Sequence, residues 1–360
     1  AKNILNGIEL ENTIAIFDSM RELVELTIGK CNWAYVKCNF WSAEGLINLG
    51  RYWEAEIKYT ETKTLQEQCV GTKWIYGQVL FGLEFIYEET NRLALAEKTM
   101  LAHNEYFKTW KRPYFDIAIN AVTLGRLYRR MGYYKESKVQ HLRADSIFKA
   151  NQDSLSNQYI LHLIEFGNLY RYTNDLDTAK AYLQKALQIS EIPVPDRLRF
   201  KMGVLSSIAT VYGELGDYRN EEITMLEYLG SMEQIFGKDS YPYAIALNQY
   251  AYFLMRMGRY AESRNILNEA QSIMESAGYT EIDIYAEILL TTNEVLANIN
   301  PELEKPEDYY RARDILLKRL GPQSQQYANS LLYIMNYLLR TENFKEAEAL
   351  IEEVKQVLTA

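Results

Sequence analysis

The sequence lacks most of what would mark it as an enzyme or a membrane protein. No apolar run approaches the roughly 18 residues that a bilayer-crossing helix needs, and no basic stretch followed by an apolar one opens the chain as a secretory signal would. The chain begins Ala1-Lys2 without an initiator Met and soon enters a helical pattern, which points to an excised fragment whose parent could carry more. Histidine is scarce: His103, His141 and His162 form no pair four apart beside a glutamate, so the zinc-protease arrangement is missing. There is no phosphate-cradling glycine loop and no glycine-flanked serine elbow after a strand. We therefore expect no catalysis, no metal and no cofactor. Of the three cysteines, Cys31 and Cys38 lie two helical turns apart, and we read all three as reduced thiols, the buried kind being inert. That favours a reducing, cytoplasmic setting. Zinc would need closer spacing and a second cluster.

Proline is also sparse, 7 in 360 residues, and its placement is informative. Pro113, Pro242 and Pro322 fall at or near expected helix starts; Pro193 and Pro195 lie between helices, and Pro301 and Pro306 in a connection. None interrupts an expected helix, where it would cost about 3 kcal/mol.

A turn signature recurs every 41 or 42 residues, with pivots at Gly50, Asn91, Gly132, Asn174, Gly216, Gly258 and Glu342, the last gap being two periods. A fixed period means one supersecondary unit stacked many times. Between pivots, apolar residues recur at three- and four-residue spacings, as Leu247, Tyr250, Ala251 and Leu254 do, the mark of amphipathic helices. Small residues such as Ala179, Ala186, Ala270 and Ala347 stand where a partner helix comes close. The expected fold is all-α: a right-handed superhelical solenoid of antiparallel helix pairs with about 17 helices. It is a single array over 1–360, with a leading helix near 8–27 and then eight pairs. Tyr243-Ala244, Tyr285-Ala286 and Tyr327-Ala328 add a second marker at 42-residue spacing. The repeat near 280–320 is irregular, its turn replaced by Asn298 to Pro306 and its second helix expected to be short.

These residues resemble the tetratricopeptide repeat (TPR) family. Leu124-Gly125, Tyr128, Gly132 and Ala144 follow its helix-pair consensus, as do Phe166-Gly167, Tyr170, Ala179 and Ala186, and Ala251, Gly258 and Ala270. The 42-residue period, longer than the usual 34, is similar to kinesin-light-chain repeats and to the repeat regions of bacterial caspase-like (CHAT) proteins. Regulatory repeat domains of bacterial transcription factors and peptide-sensing phosphatases look similar too. The resemblance implies a binding groove lined by the first helix of each pair.

Counting back from each pivot places candidate groove residues. They are Arg126, Arg129 and Arg130; Asn168, Arg171 and Tyr172; Asn248, Tyr252 and Arg256; and Asn336 and Arg340. Asparagine donates and accepts together, which suits an extended peptide backbone. Guanidinium forks suit carboxylates. Residues 108–149 hold ten Lys or Arg against three acids in a chain of net charge −9. That basic zone either steers an acidic partner or pairs with acids of adjacent repeats. One small basic patch in an acidic chain does not suit nucleic acid. Most of the 29 tyrosines recur at turn and core positions and are read as packing.

The leading expectation is a protein-interaction scaffold binding a peptide or flexible partner segment. The alternatives are a regulatory module controlling an effector domain in a larger parent, a transcription factor or a caspase-like protease, and, from a third class, a sensor phosphatase. No membrane insertion is expected; self-association through a terminal helix is a further expectation.

Overall fold

The computed structural model describes residues 7–71, 74–108, 114–194, 196–322 and 324–359. Among them the chain is all helix, with seventeen α-helices and no strand. A leading helix, α1 (Gly7–Ile28), precedes eight pairs: α2 (Trp33–Asn48) with α3 (Tyr52–Leu65), α4 (Trp74–Glu89) with α5 (Leu93–Lys108), α6 (Tyr114–Arg130) with α7 (Tyr134–Ala150), and α8 (Asn157–Tyr172) with α9 (Leu176–Ser190). Then come α10 (Arg197–Glu214) with α11 (Tyr218–Phe236), α12 (Tyr241–Arg256) with α13 (Tyr260–Ser276), α14 (Asp283–Ile299) with α15 (Pro306–Leu320), and α16 (Gln325–Arg340) with α17 (Phe344–Thr359). Residues 1–99 and 239–360 form one compact unit and residues 100–238 a second. Both carry the same period, so the repeat has no marker for this division.

The seven pivots explain why the helices stop where they do. All seven are left-handed, from φ 59° at Asn91 to φ 79° at Gly132. After each, the next backbone N–H reaches back five residues to a carbonyl, as Arg259 does to Leu254 at 2.9 Å and Asp175 to Tyr170 at 2.9 Å. This Schellman closure satisfies helix-end carbonyls that would otherwise be orphaned. At the irregular repeat the corresponding residue, Asn300, is extended at φ −161° and a 3₁₀ turn, Pro301–Leu303, follows. Two expectations are corrected here. Pro306 is not in the connection but opens α15, and α15 is not short: its 15 residues equal those of α9. Proline fits a first helical turn, where its missing N–H has no partner to lose.

Four of the first helices start at a side-chain cap three residues before a buried tyrosine. The side chains of Asn32, Ser156, Ser240 and Ser324 accept from the backbone N–H of Tyr35, Tyr159, Tyr243 and Tyr327. Such a cap is worth about 1 kcal/mol. A residue 26 positions after the tyrosine at this place in the first helix then bonds with it across the pair, also at Tyr285, which has no side-chain cap. Tyr35 donates to Glu61 at 2.9 Å, Lys185 donates to Tyr159 at 3.1 Å, and Arg311 donates to Tyr285 at 3.3 Å. Burial of side chains such as Phe148, Tyr159 and Leu163, all 0% exposed, supplies roughly 1.5–3 kcal/mol each. The small residues Ala179, Ala186 and Ala270 are fully buried.

The cysteine expectation does not hold. Cys31 is bonded to Cys69, Cα to Cα 5.9 Å, while Cys38 is free and buried. Cys31 precedes α2 rather than lying on it, so the seven-residue spacing to Cys38 does not put the two on one face. The antiparallel return of α3, continued by a π-helical turn (Gln66–Val70), brings Cys69 back to Cys31 instead. The inference of a reducing compartment loses its footing with it. Residues 109–113, including Lys111, Arg112 and Pro113, and also Pro195, lie outside the described residues. No helix among those described is long and apolar enough to cross a membrane.

Candidate partner-binding site

The predicted groove residues fall into two sets, one in each unit. In the second unit α6 packs beside α8, and α8 beside α10. Register alone places Arg129 in the last turn of α6 and Arg171 and Tyr172 in the last turn of α8; packing brings the three together. Tyr172 is 52% exposed, and its ring carries the Arg129 guanidinium at 4.7 Å and that of Arg171 at 4.6 Å. Each guanidinium also holds a carboxylate: Arg129 Nη2 lies 3.1 Å from Glu165 and Arg171 Nη1 lies 2.6 Å from Glu214. Two cations on one ring repel, and the two carboxylates offset that repulsion. Arg126 and Asn168 are half-buried on α6 and α8, and Arg130 is exposed at the end of α6.

Behind this face lies a buried histidine pair that sequence reading had treated as isolated residues. His141 and His162 are both 0% exposed, with ring centroids 5.6 Å apart, and His141 stacks on Phe166 at 5.1 Å. Gly125 makes the room, since a Cβ there would sit 2.7 Å from His141 Nε2. No ring nitrogen of either residue has a hydrogen-bond partner. Burial disfavours the imidazolium and pushes His141 down to about 3 and His162 down to about 4, the latter despite Asp145 at 3.9 Å. Both rings are neutral at pH 7. Their role here is packing.

In the first unit the same register yields different chemistry. Tyr252 is 48% exposed on α12, Asn248 is half-buried with an Oδ1 that has no hydrogen-bond partner, and Arg256 is exposed. On α16, Asn336 is exposed, while Arg340 reaches the irregular link, where its Nη2 lies 2.6 Å from Glu304. Tyr309 donates to the same carboxylate at 2.9 Å. The sequence reading passed over α14, whose pivot was missing. Counting by 42 from Tyr252 would have found Glu294 there, with Glu287 two turns earlier. Tyr333 donates to Glu294 at 3.1 Å, and burial beside Asp283 pushes Glu287 up to about 7. No cluster of three or more metal-ligating side chains occurs among the described residues.

A tetratricopeptide repeat family model matches residues 163–192, the α8–α9 pair. Two kinesin light chain-related proteins of Arabidopsis thaliana are similar in sequence. Number 1 is 26% identical over 166 residues, 45% of this chain and 27% of that protein. Number 2 is 23% identical over 275 residues, 68% of this chain and 41% of that protein. The chain thus spans about a quarter to two-fifths of the length of these curated relatives. Among solved structures, a Rap protein complexed with Competence and Sporulation Factor superposes with a TM-score of 0.63 at 9% identity, covering 98% of each chain. The apo quorum sensor NprR from B. thuringiensis gives 0.57 at 12% identity, covering 98% of this chain and 97% of its own. Aspartyl phosphate phosphatase F from Bacillus subtilis gives 0.56 at 12% identity, covering 100% of this chain and 96% of its own. At such identities the likeness shows a shared helical-repeat fold.

Proposed function

Because the chain is a tetratricopeptide repeat protein with repeats of the kinesin-light-chain kind, we propose that it is a protein-interaction module that captures a peptide or flexible partner segment on its first-helix faces. One observation carries this reading: the exposed Tyr172 ring held between Arg129 and Arg171, whose carboxylate partners are themselves side chains on neighbouring first helices. An acidic segment would take the place of Glu214 on Arg171, the more exposed of the two pairs, and lay its apolar part on Tyr172. Asn168 on the same helix offers both a donor and an acceptor to the segment's backbone. Arg126 and Arg130 add positive charge that speeds encounter at low salt. In the first unit Asn248, Tyr252, Arg256, Asn336 and Arg340 form a second, less basic face.

The reading is tested with a fluorescent decapeptide of alternating Glu and Gly. Tyr172→Ala and Arg130→Glu should each weaken its binding by about ten-fold, and raised salt should do the same to the unaltered protein. Unchanged affinity in both variants, with no salt dependence, would sink the proposal. Arg129 is left intact in this test because its pair with Glu165 is structural.

A regulatory reading is favoured by a separate observation. The full-length likeness to a quorum sensor and to a Rap protein bound to a factor supports a module whose ligand governs an effector. The effector would be a DNA-binding or caspase-like domain in the same parent chain, and the residues flanking this chain in its gene decide that. We read the module as without catalysis. Release of phosphate from an aspartyl-phosphate protein, abolished by a change at Glu287 or Glu294, would overturn that reading.

A further inference from the structure

Arg319, near the end of α15, is 3% exposed and lies against the first helix pair, 270 residues away in the chain. Its Nη1 donates to the carbonyl of Leu49 and, at 3.0 Å, to that of Glu281, while Nη2 donates to Asp283 at 3.0 Å. The Tyr52 ring stands 6.0 Å from its guanidinium carbon. Gly50 is what lets the guanidinium in: a Cβ at that position would lie 1.3 Å from Nη2.

That glycine is not explained by its turn. Gly50 has φ 64°, yet Asn91, Asn174 and Glu342 hold the equivalent pivots at φ 59°, 61° and 61° with full side chains. At the pivots Gly132, Gly216 and Gly258 an added Cβ would meet nothing within 4 Å. Gly50 alone among these pivot glycines is occupied from outside its own pair. Beside the contact lies a cavity of about 260 Å³ lined by Arg51, Lys318, Glu11, Glu54 and Glu281 among others. Its charges are met internally, Arg51 by Glu11 at 3.0 Å and Glu54 at 2.5 Å, and Lys318 by Glu281 at 3.8 Å. The cavity therefore belongs to the contact and is not a ligand site of its own.

We propose that Arg319 is a latch that closes the first unit on itself, holding the α2–α3 pair against the α14–α15 pair, and that position 50 is glycine for the sake of the latch. A repeat array touches only its neighbours, so terminal repeats fray most easily. The latch gives the first pair a second set of contacts and joins it to residues late in the chain. Removing it frees the Leu49 turn and the Tyr279–Asp283 segment together, although 230 residues separate them.

Hydrogen exchange read by mass spectrometry on the full chain tests this. Gly50→Asn keeps a residue that the pivot accepts elsewhere but evicts the guanidinium; Arg319→Ala removes the latch without touching the turn. Both should speed exchange of residues 46–52 and 279–283 on the order of ten-fold, leaving α8 and α9 unaltered. Gly258→Asn, a pivot with open space, should change neither segment. The proposal fails if Arg319→Ala exchanges like the unaltered protein in both segments. It fails equally if Gly258→Asn speeds them as much as Gly50→Asn does. Should Gly50→Asn not fold, Arg319→Ala decides alone.

Discussion

The two units fill the exposed face of one helical register with different charge. In the second, positions two and three residues before the pivot carry Arg129 and Arg130, then Arg171 and Tyr172. Six residues before the pivot the second unit carries Arg126 and Asn168 where α14 of the first carries Glu294, with Glu287 two turns earlier. Two residues before it, however, the first unit's Arg256 and Arg340 stay basic. Core positions hardly differ: Ala144 and Ala270 are both 0% exposed, and Ser137 and Ser263 each donate to a first-helix carbonyl at 2.7 Å. The register is thus a property of packing, and the exposed face is free to vary in sign. One fold can present a basic aromatic stack and an acidic tyrosine cluster without changing its core.

The largest effect that would sharpen this contrast comes from acid. His141 and His162 have folded values near 3 and 4, below the ordinary 6.5 of an unfolded histidine, so the unfolded state binds more protons between those values. Stability is full above pH 6.5 and is lost as pH falls toward 4, on the order of 7 kcal/mol for the pair, at about 1.4 kcal/mol per pH unit for each ring. Urea midpoints followed by exchange in residues 114–236 should show it, and replacing both histidines by Phe should flatten the profile. A profile equally steep in that variant would refute the assignment.

Next in size, Arg129→Ala leaves Glu165, 12% exposed, without its cation and should cost about 3 kcal/mol by denaturant titration. A loss below 1 kcal/mol would mean that the stack is not structural and would return Arg129 to the binding face.

The first unit should answer acid in the other direction at Glu287. Its folded value near 7 lies above the unfolded 4.5, so its contribution is complete below pH 4.5 and is lost as pH rises through 7. Glu287→Gln should therefore stabilise by about 3 kcal/mol at pH 8 and by almost nothing at pH 4.5. A gain that did not vary with pH would rule out ionisation as the cause.

The smallest difference concerns the pivots. Glu342 sits at φ 61° with a long side chain, so Glu342→Gly should stabilise by about 1 kcal/mol. Asn174→Gly should change little, because asparagine tolerates the left-handed region. Thermal melts that rank the two the other way would break this account of the turns.

Much of the fold was legible because it is local. The pivots, caps and apolar stripes involve residues within five positions of one another, and a repeated local rule needs no long-range information. Where the rule lapsed, at Asn300, the reading lapsed with it: α15 was expected to be short, and Glu287 and Glu294 went unnoticed. The candidate faces were legible only as positions. Register named Arg129, Arg171 and Tyr172 but could not say that the two guanidiniums share one ring, or that Glu165 and Glu214 already hold them. The cysteines failed for the same reason, since seven-residue spacing means one face only if both residues are helical.

By itself the sequence determined the helix pairs, their number and, wherever a pivot recurs, their ends, since backbone hydrogen bonding and burial of a periodic apolar stripe are settled within one repeat and its neighbour. Only the tertiary structure decided which charges meet. It also paired Cys31 with Cys69, buried His141 against His162, and set Arg319 into the space left by Gly50. Those contacts join residues 21 to 270 positions apart, and no periodic pattern encodes them. They depend on the distance and direction between side chains, which exist only once the helices have packed.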